Sequence, residues 1–307
     1  MTECERIIKE GILPESFFEE EVRCGFMVTK ERKKIWGILL DLLMQLDSVC
    51  KKHGLTYYLT DGTLLGAIRH KGFIPWDDDI DVSLPREDYE RLQTLGDEFR
   101  NPYFLQTPYS DSGYYYSFIK LRNSNTTGLS KAFRYQGFNG GLFLDIFPID
   151  VVSIEEGKNV YERIRELCLG NSAYMKLSNP NYSKIDLDEL REKASKDPLQ
   201  ACEEINRLST QYNGSQGNWV SHWVSTMDRF EKKLWRREDF ETVVYWSFEG
   251  KMFPVPTGYD RYLKTYFGDY SKLPPIEERG GRHNDVIFDP DRPYAYYVNN
   301  QKSVFPL

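Results

Sequence analysis

Four aspartates lie within five positions of one another, at Asp77, Asp78, Asp79 and Asp81. If this stretch is a strand, the side chains of Asp77, Asp79 and Asp81 share one face, because side chains alternate along a strand. Two carboxylates about 4 Å apart repel each other by roughly 4 kcal/mol at an effective dielectric constant near 20. A buried cluster therefore needs protons or a cation, and oxygen ligands of this kind favour Mg²⁺ or Mn²⁺.

An acidic run can also be a solvated turn, and the residues on either side of it favour a strand instead. Val82, Ser83 and Leu84 follow the aspartates, so the run enters a stretch of alternating apolar residues. Pro75 and Trp76 precede it, and a tryptophan is a poor lead into a mobile acidic loop. We therefore interpret the run as a metal-binding strand.

A glycine–threonine pair and a basic loop precede the acidic run. Gly62 and Thr63 come after the apolar stretch LTYYLT, and Arg69, His70 and Lys71 follow. Gly62 lets the backbone approach a phosphate closely, and Thr63 could donate its hydroxyl and amide at a helix start, where free N–H groups favour anions. Arg69 and Lys71 would neutralise phosphate charge. With the aspartates, these residues predict transfer of a phosphate-containing group from a nucleotide.

Asp145 is the candidate for a further ligand, because it is the only acidic residue in the run GLFLDIFPI. A lone buried carboxylate is costly unless it is paired or bound to a metal. The alternative is a structural aspartate that caps a turn before Pro148. Asp81 and Asp145 are also candidates for accepting the proton of an attacking hydroxyl.

Three further residues are candidates for binding substrate. Lys120 and Arg122 share a strand face by their spacing, so they form a suitable pair for phosphate. His283 lies in the polar segment ERGGRHND, where it could contact phosphate or accept a proton from the acceptor. A solvated loop histidine is the alternative reading of His283.

Composition restricts the class of protein. Of 307 residues, 40% are hydrophobic and 28% are charged, as in a soluble globular protein. The net charge of −7 argues against general nucleic-acid binding. The five scattered cysteines lack zinc-site spacing and suggest reduced thiols. No signal segment or membrane-spanning run is apparent. We expect a cytoplasmic location, with peripheral association at the inner membrane face left open.

The periodicity of apolar residues predicts a mixture of helices and strands. Residues 1–29 are expected to be irregular with a short helical stretch. The predicted helices are 30–53, between Thr29 and Gly54, then 64–69, 86–100 and a set within 155–212. The predicted strands are 55–60, 80–84, 115–122 and 140–147, the last ending at Pro148. The segment 219–307 is expected to be mixed strand and loop, and the helices of 155–212 to be an insertion.

Three stretches of this chain resemble the LicD family, phosphocholine transferases of bacterial surface glycans that are related to fukutin-type phosphoribitol transferases. They are residues 62–92, 140–150 and 248–275. The resemblance implies an α+β fold with a nucleotidyltransferase-like mixed sheet flanked by helices. It implies one domain over residues 1–307, with a core of about 30–150 plus 219–285.

The resemblance also implies site residues and substrates. Gly62 and Thr63 match the family's glycine turn, and Asp77, Asp79 and Asp81 match its acidic run. Asp145 stands where a third acidic strand position is expected. The implied donor is CDP-linked, typically CDP-choline, and the implied acceptor is a glycan or glycolipid hydroxyl, with CMP released.

The donor head group remains open among choline, ribitol, glycerol and ethanolamine. A quaternary ammonium would need an aromatic cage, for which Tyr114–Tyr116 and Phe133–Tyr135 are candidates. Two other functions also remain open: a glycosyltransferase that binds a nucleotide-sugar through Asp-x-Asp, and a non-catalytic glycan-binding protein. The sequence shows no hydrolase triad, which disfavours a covalent intermediate.

Overall fold

The computed structural model describes residues 1–133, 137–179, 181–223, 230–281, 283 and 285–299. Its α-helices are α1 (Glu3–Lys9), α2 (Lys30–His53), α3 (Asp61–His70), α4 (Arg86–Gln93), α5 (Gly157–Lys176), α6 (Lys184–Lys193), α7 (Pro198–Thr210), α8 (Tyr259–Phe267) and α9 (Tyr294–Asn299). Its strands are β1 (Glu21–Arg23), β2 (Phe26–Val28), β3 (Tyr58–Leu59), β4 (Asp81–Pro85), β5 (Tyr103–Gln106), β6 (Ile119–Asn123), β7 (Thr127–Ser130), β8 (Leu142–Val152), β9 (Trp219–Ser221), β10 (Trp235–Arg236), β11 (Val243–Phe248), β12 (Lys251–Pro256) and β13 (Val286–Asp289).

Strand β8 organises the main sheet. It pairs parallel with β4 and antiparallel with both β6 and β9. Strand β3 extends the sheet beyond β4, β5 extends it beyond β6, and β10 extends it beyond β9. This mixed sheet and its flanking helices confirm the predicted α+β class.

Helix α2 supplies much of the main core, as its periodicity predicts. The Thr29 side chain caps its N-terminus, and Gly54 ends it in the left-handed conformation with φ of 63°. The apolar stripe that contains Leu39, Leu42 and Leu46 is fully buried. The apolar face of α2 therefore packs against β6 and β8 of the sheet.

The structure corrects the predicted end of β8, because this strand continues through Pro148 to Val152. Asp145 donates its N–H to the carbonyl of Ile80, next to β4. Backbone N–H groups alternate between the two edges of a strand, so the nitrogen of Pro148, three residues later, faces the opposite edge. On that edge the pairing with β6 ends at Ile146 and the pairing with β9 begins at Asp150. The missing N–H of Pro148 therefore breaks no ladder hydrogen bond.

Other predicted boundaries also change. The predicted strands 55–60 and 115–122 shorten to β3 and β6, and the helix predicted at 86–100 ends at Gln93. The N-terminal region contains the β1–β2 hairpin, and the C-terminal segment contains α8 and α9. These short elements depend on tertiary contacts that local periodicity does not report.

The helices predicted within 155–212 are confirmed as α5, α6 and α7. Tyr161 and Ile164 of α5 pack with Ile205 of α7 in a second hydrophobic cluster, which also contains Phe147 of the sheet. In the described ranges, no helix combines the length and apolar character needed to cross a membrane.

Candidate active site

The acidic run lies mainly in a loop. Asp77, Asp78 and Asp79 precede β4, and only Asp81 lies in the strand. The prediction that alternate aspartates share a strand face is therefore wrong. Helix α2 holds the loop instead, since Arg32 Nη1 and Trp36 Nε1 donate to the carbonyl oxygen of Asp77 at 2.8 and 3.0 Å.

The loop nevertheless brings three carboxylates together. Asp77, Asp78 and Asp79 each offer a ligand oxygen, and these oxygens all lie within 4.8 Å of one another. Asp78, which the strand pattern would have turned away, is thus a member of the cluster. An oxygen-only donor set at this spacing fits Mg²⁺ or Mn²⁺.

Gly62 and Thr63 lie in the first turn of α3, not in a turn before the helix. A Cβ atom on Gly62 would lie 2.8 Å from Oδ2 of Asp77, so the glycine makes room for that carboxylate. Oγ1 of Thr63 accepts the N–H of Asp81 at 2.8 Å. Both residues thus help to position aspartates of the acidic run.

Asp145 lies beside the acidic run because β4 and β8 are parallel. Asp81 is its register partner on β4, and Lys120 is its partner on β6. Lys120 Nζ contacts Asp145 Oδ1 at 2.5 Å. The alternative of a turn-capping Asp145 is wrong, because the residue lies within β8.

The carboxylates perturb one another. Burial, together with the nearby charges of Asp79, Asp61 and Asp145, raises the pKa of Asp81 well above its usual value. Burial and neighbouring carboxylates also raise the pKa of Asp79, although the charge of His283 opposes this. A cation would relieve this repulsion.

His283 belongs to this acidic cluster, not to a solvated loop. Its Nδ1 lies 2.7 Å from Oδ1 of Asp78, and its Nε2 lies 3.8 Å from Oδ2 of Asp79. Burial lowers its pKa, but the hydrogen bond with Asp78 and the surrounding carboxylates raise it to about 9. Gly281 packs against Asp78, where a Cβ atom would lie 2.4 Å from Oδ2.

Lys120 and Arg122 share a face, as their spacing predicts. The Lys120 ammonium lies 3.6 Å from the centre of the Phe143 ring, and the Arg122 guanidinium lies 5.1 Å from it. Arg122 is buried and donates to Gln106 Oε1 at 2.5 Å and to the Gly141 carbonyl at 2.6 Å. Burial lowers the pKa of both cations.

Arg69 and Lys71 lie at the other end of α3 from Gly62. A helix rises about 1.5 Å per residue, so Arg69 is about 10 Å along the axis from Gly62. Arg69 Nη1 donates to the carbonyls of Tyr270 and Lys272 at 3.0 and 3.1 Å, and Lys71 caps the helix in the left-handed conformation. The predicted basic loop is therefore a helix end, and the structure does not bring these two cations to the acidic cluster.

The family model described as LicD/FKTN/FKRP, nucleotidyltransferase domain, matches residues 54–176. The lipopolysaccharide cholinephosphotransferase LicD of Haemophilus influenzae is 30% identical over 267 residues, which cover 80% of this chain and 93% of that protein. This chain belongs to the LicD family. The resemblance drawn from its sequence motifs is thereby confirmed.

Two shorter similarities involve uncharacterized rickettsial proteins. One from Rickettsia prowazekii is 39% identical over 61 residues, 20% of this chain and 23% of that protein. One from Rickettsia typhi is 37% identical over 62 residues, 20% of each chain. These matches cover too little of the LicD-family chain to bear on its function.

The aromatic residues considered for a cage take different positions in this LicD-family structure. Tyr114 is fully buried and donates its hydroxyl to the Phe118 carbonyl at 2.8 Å. The ring centres of Tyr116 and Phe118 lie 5.8 and 5.2 Å from the Lys120 ammonium. Of the candidate stretch Phe133–Tyr135, only Phe133 lies within the described residues. The rings of Tyr116 and Phe118 therefore already lie next to the ammonium group of Lys120.

Asp61 is a neighbour of the acidic cluster that sequence reasoning missed. It begins α3 with φ of 48°, and its Oδ2 lies 3.1 Å from Nε2 of the buried His222. Tyr262 donates its hydroxyl to Asp61 Oδ1 at 2.9 Å. Burial raises the pKa of Asp61, but the charges of His222 and Lys233 outweigh it and lower the pKa. The place of Asp61 directly before Gly62 could have marked it as a site residue. No local sequence pattern links Asp61 to His222 in this LicD-family chain.

Proposed function

We propose that this protein transfers phosphocholine, or a related phospho-alcohol, from a CDP-linked donor to a hydroxyl of a cell-surface glycan. The observation that carries the proposal is the convergence of Asp81 and Asp145 beside the Asp77–Asp79 cluster, in a chain of the LicD family. The name of the Haemophilus influenzae relative supports a transferase that acts on lipopolysaccharide. The comparison does not extend to the donor, so the CDP-linked donor is part of the proposal.

The proposed cation site uses the carboxylates of Asp77, Asp79, Asp81 and Asp145, and the loop geometry adds Asp78 as a candidate. A bound Mg²⁺ or Mn²⁺ would offset negative charge on the phosphate oxygens of the donor. Burial and the neighbouring carboxylates raise the pKa of Asp81, and a cation bound between these carboxylates would relieve their repulsion.

The proposed transfer is a direct displacement. The acceptor oxygen forms a bond to the phosphorus nearest the alcohol, the bond from that phosphorus to the oxygen of CMP breaks, and CMP leaves. The hydroxyl proton passes to the carboxylate of Asp81 or Asp145. In this scheme no covalent enzyme intermediate forms, and the protein acts through positioning and electrostatic stabilisation.

Other residues of the site would hold the donor. The first turn of α3, at Gly62 and Thr63, presents backbone N–H groups of the kind that favour phosphate. Lys120 contacts Asp145, so it lies at the proposed site and would neutralise charge as the bond to CMP breaks. His283 adds a second positive charge next to Asp78 and Asp79.

The experiment is release of CMP from a panel of CDP-choline, CDP-ribitol, CDP-glycerol and CDP-ethanolamine. Each donor is incubated with a glycan acceptor in Mg²⁺, in Mn²⁺ and in EDTA, with Asp79→Asn as the inactive control. We expect CMP from at least one donor, only with metal. Release of UMP or UDP from a UDP-sugar, with no CMP from any CDP-alcohol, would favour the glycosyltransferase instead.

A further inference from the structure

The turn between β11 and β12 is fastened to the loop that leads from α3 to the acidic cluster. Glu249 and Gly250 form this turn with φ of 48° and 76°, a strained conformation for a glutamate. The Glu249 side chain is only 6% exposed, and its Oε1 accepts the N–H of Phe73 at 3.0 Å. The N–H of Glu249 donates to the Lys71 carbonyl at 2.9 Å.

The loop is shaped to receive this carboxylate. A Cβ atom on Gly72 would lie 2.1 Å from Oε1 of Glu249, so a larger residue there would have to displace this carboxylate. The loop lies in turn against α3, where a Cβ atom on Gly66 would lie 2.5 Å from the Gly72 carbonyl. Close packing at both glycines fixes the path of the chain before the aspartates.

Arg23 of the β1–β2 hairpin holds the other side of Glu249. Its Nη1 and Nη2 lie 2.5 and 3.0 Å from the two carboxylate oxygens, in a bidentate ion pair. Its guanidinium also lies 5.2 Å from the centre of the Trp36 ring. The pair therefore joins three distant segments of the chain.

Two short paths lead from Glu249 to Asp77. Phe73, whose N–H Glu249 accepts, stacks on Trp36 with ring centres 4.7 Å apart, and Trp36 donates to the Asp77 carbonyl at 3.0 Å. Ile74, the next residue after Phe73, accepts the N–H of Asp77 at 2.9 Å. A displacement of Phe73 would therefore move the carboxylate cluster by both paths.

We propose that Glu249, held by Arg23, is a positioning residue that sets the spacing of the Asp77–Asp79 carboxylates and hence the affinity of the site for a divalent cation. Glu249 acts through Phe73, Ile74 and Trp36. This inference rests on the cation site of the proposed function. The inference gives Glu249 a role. This residue lies in the stretch 248–275 that resembles the LicD family, and the proposed reaction does not otherwise use that stretch.

The test is direct binding of Mn²⁺, without substrate, measured from the electron paramagnetic resonance signal of free Mn²⁺. We expect Glu249→Ala to weaken Mn²⁺ affinity by about 10- to 100-fold, as for other residues that orient metal ligands. Glu249→Gln keeps an oxygen that can accept both the Phe73 N–H and an N–H of Arg23, so it should retain most of the wild-type affinity. The matched control is Glu238→Ala, which removes the exposed ion pair with Arg261 and should leave Mn²⁺ affinity unchanged.

Melting temperatures in EDTA, on the same preparations, separate positioning from general stabilisation. Wild-type Mn²⁺ affinity in Glu249→Ala, with only a lower melting temperature, overturns the inference while the cation site stands. Absence of Mn²⁺ binding by the wild type overturns both the cation site and the inference. If Glu249→Ala does not fold, Arg23→Gln takes its place, and an unchanged affinity in that variant overturns the inference.

Discussion

Asp81 and Asp145 are register partners on parallel strands, and Lys120 stands opposite Asp145 on its other side. The two carboxylates therefore approach each other across adjacent strands, while a lysine pairs with only one of them. Burial, together with the charges of Asp79, Asp61 and Asp145, raises the pKa of Asp81 well above its usual value.

The first prediction concerns Asp79 and Asp81. Asp79→Asn and Asp81→Asn should each abolish turnover and leave the circular dichroism spectrum unchanged. In EDTA, Asp81→Asn should melt at a higher temperature than the wild type, because the substitution removes one of several carboxylates that repel one another. CMP release and thermal melting on the same samples check this. Full turnover in either variant, or in EDTA, would contradict the proposed cation site.

The second prediction concerns Asp145. If Asp145 completes the metal site, Asp145→Asn should lose turnover as Asp79→Asn does and keep a folded structure. If its role is only to pair with Lys120, the variant should lose stability and retain specific activity per folded molecule. Turnover normalised to the folded fraction decides between these outcomes.

The third prediction concerns Lys120. Lys120→Met should raise the donor KM or lower kcat by about 10- to 100-fold, equivalent to about 1.4–2.8 kcal/mol. Arg122→Met should instead lower stability, because Gln106 and the Gly141 carbonyl lose a buried partner. Steady-state kinetics and melting temperatures of both variants test the contrast. Wild-type kinetics in Lys120→Met would remove this lysine from the proposed donor site.

The fourth prediction concerns Gly62. Gly62→Ala places a methyl group 2.8 Å from Oδ2 of Asp77, so it should displace the carboxylate and weaken Mn²⁺ binding. Gly62 does not have a positive φ, so the backbone itself should tolerate alanine. Gly96→Ala is the matched control, because a Cβ atom there meets nothing within 4 Å. Equal Mn²⁺ affinity in the two variants would contradict the prediction.

The fifth prediction concerns pH. Burial, with the nearby charges of Arg69 and Arg23, lowers the pKa of His70 from its usual 6.5 to about 4. The folded state therefore binds fewer protons than the unfolded state between these values, so His70 should cost stability as the pH falls from about 6.5 to 4. His70→Gln should flatten the fall in melting temperature over this interval. An unchanged pH profile would show that His70 does not contribute.

Local sequence determined several features correctly. The apolar stripe between Thr29 and Gly54 predicted the bounds of α2, because helical periodicity and capping depend on neighbouring residues. The acidic run also pointed to the Asp77–Asp79 cluster, and the apolar residues around Asp145 predicted a strand, because both patterns are local. The spacing of Lys120 and Arg122 also predicted their shared face.

Tertiary structure decided how these residues meet. Helix α2 holds Asp77 in a loop through Arg32 and Trp36, so the alternation expected of a strand does not apply there. The contacts of His222 with Asp61 and of Glu249 with Phe73 join segments far apart in the chain. Periodicity reports only which face of an element is buried, whereas these contacts depend on how the sheet and its hairpins are arranged in space.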